Sequence, residues 1–224
     1  MKRSVLVIAP HPDDETLGCG GTLLKHRAAG DELHWLIVTE ISSHVGASPE
    51  RSQERQAEIA RVTQEYSFAS VHQLGFPTTQ LDSLPLSDLV AKMGRVFAAV
   101  RPEIVYLPHP GDIHTDHRVV FEAAASCTKW FRAPFVKRVL AYETLSETDF
   151  GINPAYNPFR PNYFVDISGT LERKMAIMRI FSSELGEFPF PRSEEALSAL
   201  AAVRGTAAGF RSAEAFMLLK ETWS

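Results

Sequence analysis

Ser4-Val-Leu-Val-Ile-Ala-Pro-His-Pro-Asp-Asp-Glu15 is the stretch on which the reading of the fold turns. Val5-Leu-Val-Ile8 is a short apolar run without polar alternation, the pattern of a strand buried on both faces of a parallel sheet. The cluster His11-Pro-Asp-Asp-Glu15 then falls at the carboxyl end of that strand, the edge where open α/β sheets bind ligands.

Outward from this segment, apolar runs recur at residues 33–39, 71–74 and 104–107, with a more amphipathic run at 136–143. Helical patterns separate them at residues 18–29, 51–63, 87–101 and 117–131, and Arg101-Pro102 is a sensible stop before the fourth strand. The β-α-β-α order predicts an α/β fold: a Rossmann-like, mostly parallel sheet with helices on both faces, in one domain over residues 1–224. Right-handed crossovers would gather the strand ends on one edge. Residues 150–161, rich in Pro, Asn and aromatics, read as a long ordered loop. A short strand at 163–167 and a helix at 168–185 follow. Beyond the loop Phe188-Pro-Phe-Pro191, Ser193 caps a helix reaching about residue 202.

Composition narrows the function classes. A chain of 224 residues, 45% hydrophobic and 22% charged, suits one globular core. A net charge of −4 and the lack of a Lys/Arg run argue against nucleic acid as a partner. No apolar stretch approaches the roughly 20 residues of a membrane-spanning helix, and the N-terminal residues do not read as a signal peptide. With only Cys19 and Cys127, both in helix-like contexts, a disulfide framework or cysteine zinc cluster is excluded and a cytoplasmic location is expected.

About a hundred residues after the first polar cluster comes His114-Thr-Asp-His117. A catalytic zinc takes three nitrogen or oxygen ligands and keeps a position open for water. Candidates are His11, Asp13, Asp14, His114, Asp116 and His117. Asp13 and Asp14 are adjacent, so on an extended loop one can face a metal and the other the water that the metal acidifies. His114 and His117 share a face if a helical turn begins there. The spacing by itself indicates metal-assisted hydrolysis.

His-Pro-Asp-Asp-Glu after the first strand, Gly18-Cys-Gly-Gly-Thr22 and His114-Thr-Asp-His117 together resemble the PIG-L/LmbE family of zinc-dependent N-deacetylases, strongly over the first two-thirds of the chain. The resemblance implies that His11, Asp14 and His117 bind zinc, although iron(II) suits the same donor set. It implies that Asp13 is the general base and that His114, oriented by Asp116, stabilises the oxyanion. Arg55 matches a family position that contacts the sugar; Glu15 supports the loop. Thr39-Glu-Ile-Ser42 departs from the Thr-x-Gly turn common in the family, so the loop through Gly46 is expected to shape a different acceptor pocket. The implied activity is hydrolysis of an N-acetyl group from an N-acetylglucosaminyl-type sugar, free or linked to a lipid, glycan or other small molecule. Rival readings are a deformylase or amidase on another small amide, and a non-catalytic metal-containing sugar-binding module. Oligomeric state is left open, a homo-oligomer being one option.

Blander readings stand beside these. Asp13 or Asp14 could simply cap the following helix, and Arg55 could pair with Glu58 or Glu54 on a solvated helix face. Gly18-Cys-Gly-Gly lacks the pattern of a phosphate loop and reads as close helix–sheet approach. His109 and Arg192 are further candidates to face substrate, whereas Phe188 and Phe190 are read primarily as core. Tyr142 and Glu143 are placed at a strand end near the site. His26, His34, His44 and His72 have no partners evident in sequence.

Overall fold

A computed structural model describes residues 2–41, 46–155 and 158–223. Its strands are β1 (Ser4–Ala9), β2 (Glu32–Glu40), β3 (Ser70–Pro77), β4 (Ile104–Pro108), β5 (Arg138–Tyr142), β6 (Tyr163–Asp166) and β7 (Ala213–Glu221). Its helices are α1 (Asp14–Ala28), α2 (Pro49–Tyr66), α3 (Leu86–Val100), α4 (Thr115–Cys127), α5 (Leu171–Met178) and α6 (Glu194–Ala208). All seven strands form one sheet in the order β3-β2-β1-β4-β5-β7-β6. The first five are parallel, and β7 lies antiparallel between β5 and β6. The mostly parallel α/β architecture is therefore as expected, with an antiparallel margin.

β1 lies in the middle of the five parallel strands, and its alternation distributes two cores. Val5, Val7 and Ala9 face one side, with Leu17 and Leu23 of α1, Val62 of α2 and Met175 of α5. Leu6 and Ile8 face the other, with Leu89 and Met93 of α3 and Val120 and Ala124 of α4. Burial on both faces explains why β1 has no polar alternation. The same geometry explains the small residues of α1. A Cβ on Gly18 would meet the Tyr142 ring at 2.3 Å, and one on Gly21 would meet Ile167 at 2.6 Å.

Several boundaries differ from expectation. α1 starts at Asp14 and α4 at Thr115, so each polar cluster opens a helix rather than preceding it. α4 also ends at Cys127, short of the expected 131, and α6 continues to Ala208, stopping at left-handed Gly209. The helix expected over 168–185 is confined to Leu171–Met178, followed by a 3-10 turn at Ser182–Glu184. Ile180 and Phe181 donate to carbonyls three residues back, which tightens the helix end, and two serines with poor interior propensity follow. β7 is absent from the elements expected above because Glu214 interrupts its apolar run. That carboxylate is buried, accepting from the Lys174 ammonium at 2.7 Å and from the Gly21 and Thr22 amides of α1 at 2.8 and 2.7 Å.

Among the described residues, no helix is long and apolar enough to cross a membrane. Ser42 and His44, and part of the 150–161 loop, lie outside the described residues.

Candidate metal centre and catalytic site

The carboxyl ends of β1 and β4 deliver the two polar clusters to one place. His11, Asp14 and His117 each offer a donor atom, and these atoms lie within 4.8 Å of one another. Asp14 Oδ2 is 3.3 Å from His11 Nδ1 and 3.4 Å from His117 Nε2. It also accepts the His11 amide at 2.8 Å, which fixes the carboxylate at the first turn of α1. His114, at the N-cap of α4, shares a second such grouping with His11 and Asp116.

The far nitrogen of each inner histidine is tied to a carboxylate. His117 Nδ1 is 2.8 Å from Asp112 Oδ2, and Asp112 Oδ1 in turn accepts the Thr148 hydroxyl at 2.6 Å. His11 Nε2 is 3.1 Å from Asp116 Oδ2, whose carboxylate also accepts the Thr79 and Leu81 amides at 2.7 and 3.2 Å. His117 Nε2, facing inward, is buried with no hydrogen-bond partner among the described residues. An orphaned imidazole nitrogen beside a carboxylate, with its ring held from behind, is the donor arrangement of a metal ligand. The residues therefore fit a divalent cation.

Electrostatics say the same. Burial opposes charge on His11, yet hydrogen bonds to Asp116 and Asp14 carry it up to about 9. Burial likewise lowers His117, but Asp14 and Asp112 hold it well above the usual histidine value. Burial alone would raise Asp14; cationic His117 and His11 hold it well below the carboxylate range instead. The surrounding carboxylates thus favour positive charge at both imidazoles.

Asp13 occupies the N-cap position of α1, but its side chain makes no capping bond; only its carbonyl does, with Thr16 and Leu17 amides at 2.9 and 2.8 Å. Its φ of 145° is unusual for a residue with a Cβ, and such strain persists only where surroundings over-determine it. Glu15 supplies one constraint by accepting the Asp13 amide at 3.0 Å. The freed carboxylate lies 3.2 Å from Arg192 Nη1. Burial, then the charges of Asp14 and Glu184, raise Asp13 to about 7 despite Arg192. That places a carboxylate at the poise of a base working near neutrality. His114 is pushed down to about 4 by burial and by cationic His11 and His117. Its Nδ1 accepts the Asp116 amide at 3.1 Å, so a neutral ring carries its proton on Nε2.

His11, Asp13, Asp14 and His114 line a 210 Å³ cavity with Arg55, Arg192, Glu184 and Glu147 on its walls. Arg55 is buried; Nη1 donates to the Pro12 carbonyl at 2.9 Å, Nη2 to Glu184, and Nε is 3.2 Å from Glu58. The Glu58 pairing read from sequence is present, but on a buried face. Arg192 bridges Asp13 and Glu184.

Other expectations fall elsewhere. The Asp116 carboxylate goes to His11, and its contact with His114 is through the main chain alone. His109 is buried against Phe159 and lines a different, 300 Å³ cavity. Phe188 and Phe190 are exposed rather than core: they sit on an outer loop, where Phe190 packs across Gly186. The Tyr142 hydroxyl donates to the Ile8 carbonyl, and Glu143 pairs with Arg204, so neither joins the cavity wall. Cys19 and Cys127 are free and buried. His26 meets Asp31 and Tyr106, while His34 and His72 share Ser70. Sequence reasoning missed Asp112 and Glu184. Asp112 was within reach, being a carboxylate five residues before a candidate ligand; Glu184 comes from a remote turn with no local signal.

The model of the PIG-L family, described as GlcNAc-PI de-N-acetylase, matches residues 6–128, which contain both polar clusters. The chain belongs to the PIG-L family. Diacetylchitobiose deacetylase of Thermococcus kodakarensis is 31% identical to this PIG-L protein, over 95% of this chain and 81% of the relative. A conserved Thermus thermophilus protein of solved structure is 28% identical with a TM-score of 0.77, covering 99% of this chain and 97% of that one. At 19% identity, a 4-carboxy-2-hydroxymuconate hydratase from Pseudomonas putida shares the fold, with a TM-score of 0.75 and coverage of 100% and 98%. The PIG-L fold alone thus does not fix the reaction, and the side chains must.

Proposed function

We propose that this protein is a zinc-dependent N-deacetylase that hydrolyses the N-acetyl group of an N-acetylated amino sugar or its conjugate, releasing acetate and a free amine. The observation that carries the reading is the convergence of His11, Asp14 and His117 on one point, with Asp13 and His114 on the wall of the adjoining cavity. Two imidazoles and one carboxylate form the donor set of a catalytic zinc that retains an open position. When bound there, zinc supplies Lewis acidity, polarising the amide carbonyl and making water acidic enough to lose a proton near neutral pH.

The remaining work falls to the chain. Asp13 takes the proton from the attacking water and returns it to the departing amine nitrogen. Arg192, 3.2 Å from Asp13, limits where that carboxylate can swing. His114 Nε2–H donates to the oxygen of the former carbonyl as negative charge develops on it. Asp116 and Asp112 hold the rings of His11 and His117, and so fix the ligand nitrogens. Arg55 and Arg192 bound the space in which the sugar sits. The homology to a deacetylase of diacetylchitobiose supports an acetylated amino sugar over another small amide.

The reading is tested by counting metal in the purified protein and assaying N-acetylated sugar conjugates for free amine, with and without chelator. Stoichiometric zinc and chelator-sensitive amine release are expected. Full zinc occupancy without amine from any N-acetylated sugar overturns it.

A further inference from the structure

The catalytic cavity shares Pro12, Thr39, Ile41 and Arg55 with a second cavity of 340 Å³, which opens between α2 and β3. Its size is within the roughly 300–1,000 Å³ that holds small organic ligands, enough for a glycosyl unit. Apolar Ile41, Pro49 and Ile59 give it surface for the C–H face of a ring. Opposite them stands an amide pair: Gln56 Nε2 donates to Gln73 Oε1 at 3.0 Å, and Gln73 Nε2 donates to Gln56 Oε1 at 3.1 Å. Each carboxamide so engaged keeps one N–H and one acceptor lone pair, and together they can both donate to and accept from hydroxyl groups.

Charge decides what kind of group fits. Among the described residues, five carboxylates line the two cavities, Asp13, Asp14, Glu40, Glu147 and Glu184, against two guanidinium groups. Both guanidinium groups are already engaged, Arg55 by Glu58 and Glu184, and Arg192 by Asp13 and Glu184. Among the described residues, the one ionisable group special to the second cavity is Glu40, an exposed carboxylate. A phosphate or carboxylate there would meet like charge, and no free cation among the described lining residues compensates it.

We propose that the cavity between α2 and β3 is an acceptor subsite for an uncharged, hydroxyl-rich glycosyl unit carried by the sugar that loses its acetyl group, and that it selects against anionic conjugates. The proposal rests on the deacetylase reading above. Sugar hydroxyls bond the Gln56–Gln73 pair and Glu40, while the ring lies over Ile41 and Ile59.

The test compares kcat/KM of the zinc-loaded full chain on N-acetylglucosamine, N,N′-diacetylchitobiose and N-acetylglucosamine 1-phosphate. The disaccharide should exceed the monosaccharide by at least about tenfold, and the phosphate should fall below it by a similar factor. Gln56→Trp, a large group at an exposed position, should bring the disaccharide-to-monosaccharide ratio to about one with zinc content retained. Gln73→Lys should raise the phosphate relative to the monosaccharide. Amine release from the monosaccharide without a disaccharide advantage, an advantage untouched by Gln56→Trp, or preference for the phosphate overturns the subsite alone. Release from none of the three overturns the deacetylase reading and the subsite with it.

Discussion

Asp112 Oδ2 lies 2.8 Å from His117 Nδ1, so the carboxylate leaves Nε2 as the ring nitrogen that faces the candidate metal centre. Both side chains are buried and no water can replace the contact cheaply. Asp112→Ala is expected to weaken zinc affinity by about 10–100-fold, the usual cost of removing the partner behind a metal-binding histidine. Chelator competition measures it. Unchanged affinity would show that the pairing only packs the loop.

With His11 and His117 as proposed ligands, protons and metal would compete for the same nitrogens. His11 is pushed up to about 9 and His117 is also raised, because Asp14, Asp116 and Asp112 favour their charged forms over the opposing effect of burial. Both are therefore protonated at neutral pH in the metal-free protein, and binding must release those protons. Zinc affinity should rise with pH toward about 9, by up to about a hundredfold per unit while both protons are displaced. The sign for stability is opposite. A raised histidine stabilises the metal-free fold fully below the unfolded value near 6.5, and this contribution is lost as pH rises through 9. Calorimetric titration in buffers of different ionisation enthalpy counts the protons; no release would contradict the assignment of His11 and His117 as ligands.

Gly21 is required by close approach rather than by backbone freedom. A Cβ there would sit 2.6 Å from Ile167 Cγ2. Gly21→Ala should cost about 1–3 kcal/mol of stability, the range for overpacking a dense interior. Denaturant unfolding reads this, and an unchanged midpoint would show that α1 can shift.

Lys174 and Glu214 form an ion pair with both side chains almost fully buried, and the ammonium also donates to the Leu17 carbonyl at 2.8 Å. Lys174→Met leaves Glu214 without its counter-charge and should cost about 3–5 kcal/mol, whereas replacing both by apolar residues should cost far less. Unfolding of the single and double variants compares the two. Equal losses would mean that packing, not charge, dominates.

The legible parts of this protein were those encoded locally. Val5-Leu-Val-Ile8 needed only its unbroken apolarity to be read as a buried strand, and the positions of the two polar clusters after strand ends marked six candidate ligands, among which the family resemblance singled out His11, Asp14 and His117. What escaped depends on distant partners. Glu214 makes β7 look polar until Lys174 and the α1 amides neutralise it. Glu184 reaches the cavity from a 3-10 turn that replaces the second half of an expected helix. Asp116 does hold its neighbour His114, but through its amide, while the turn at Thr79–Leu81 and the approach of His11 claim its carboxylate, which no local pattern announces. Phe190 shows the reverse error, since an apolar side chain on an outer loop is under no obligation to be buried.

The division of labour between adjacent Asp13 and Asp14 is the centre of the account, and zinc content measured with turnover in Asp13→Ala and Asp14→Ala tests it most directly. Asp13→Ala should keep stoichiometric zinc and lose about 10²–10⁴-fold in kcat for amine release. Asp14→Ala should lose the metal itself. Zinc retained by Asp14→Ala and lost by Asp13→Ala would contradict the assignment.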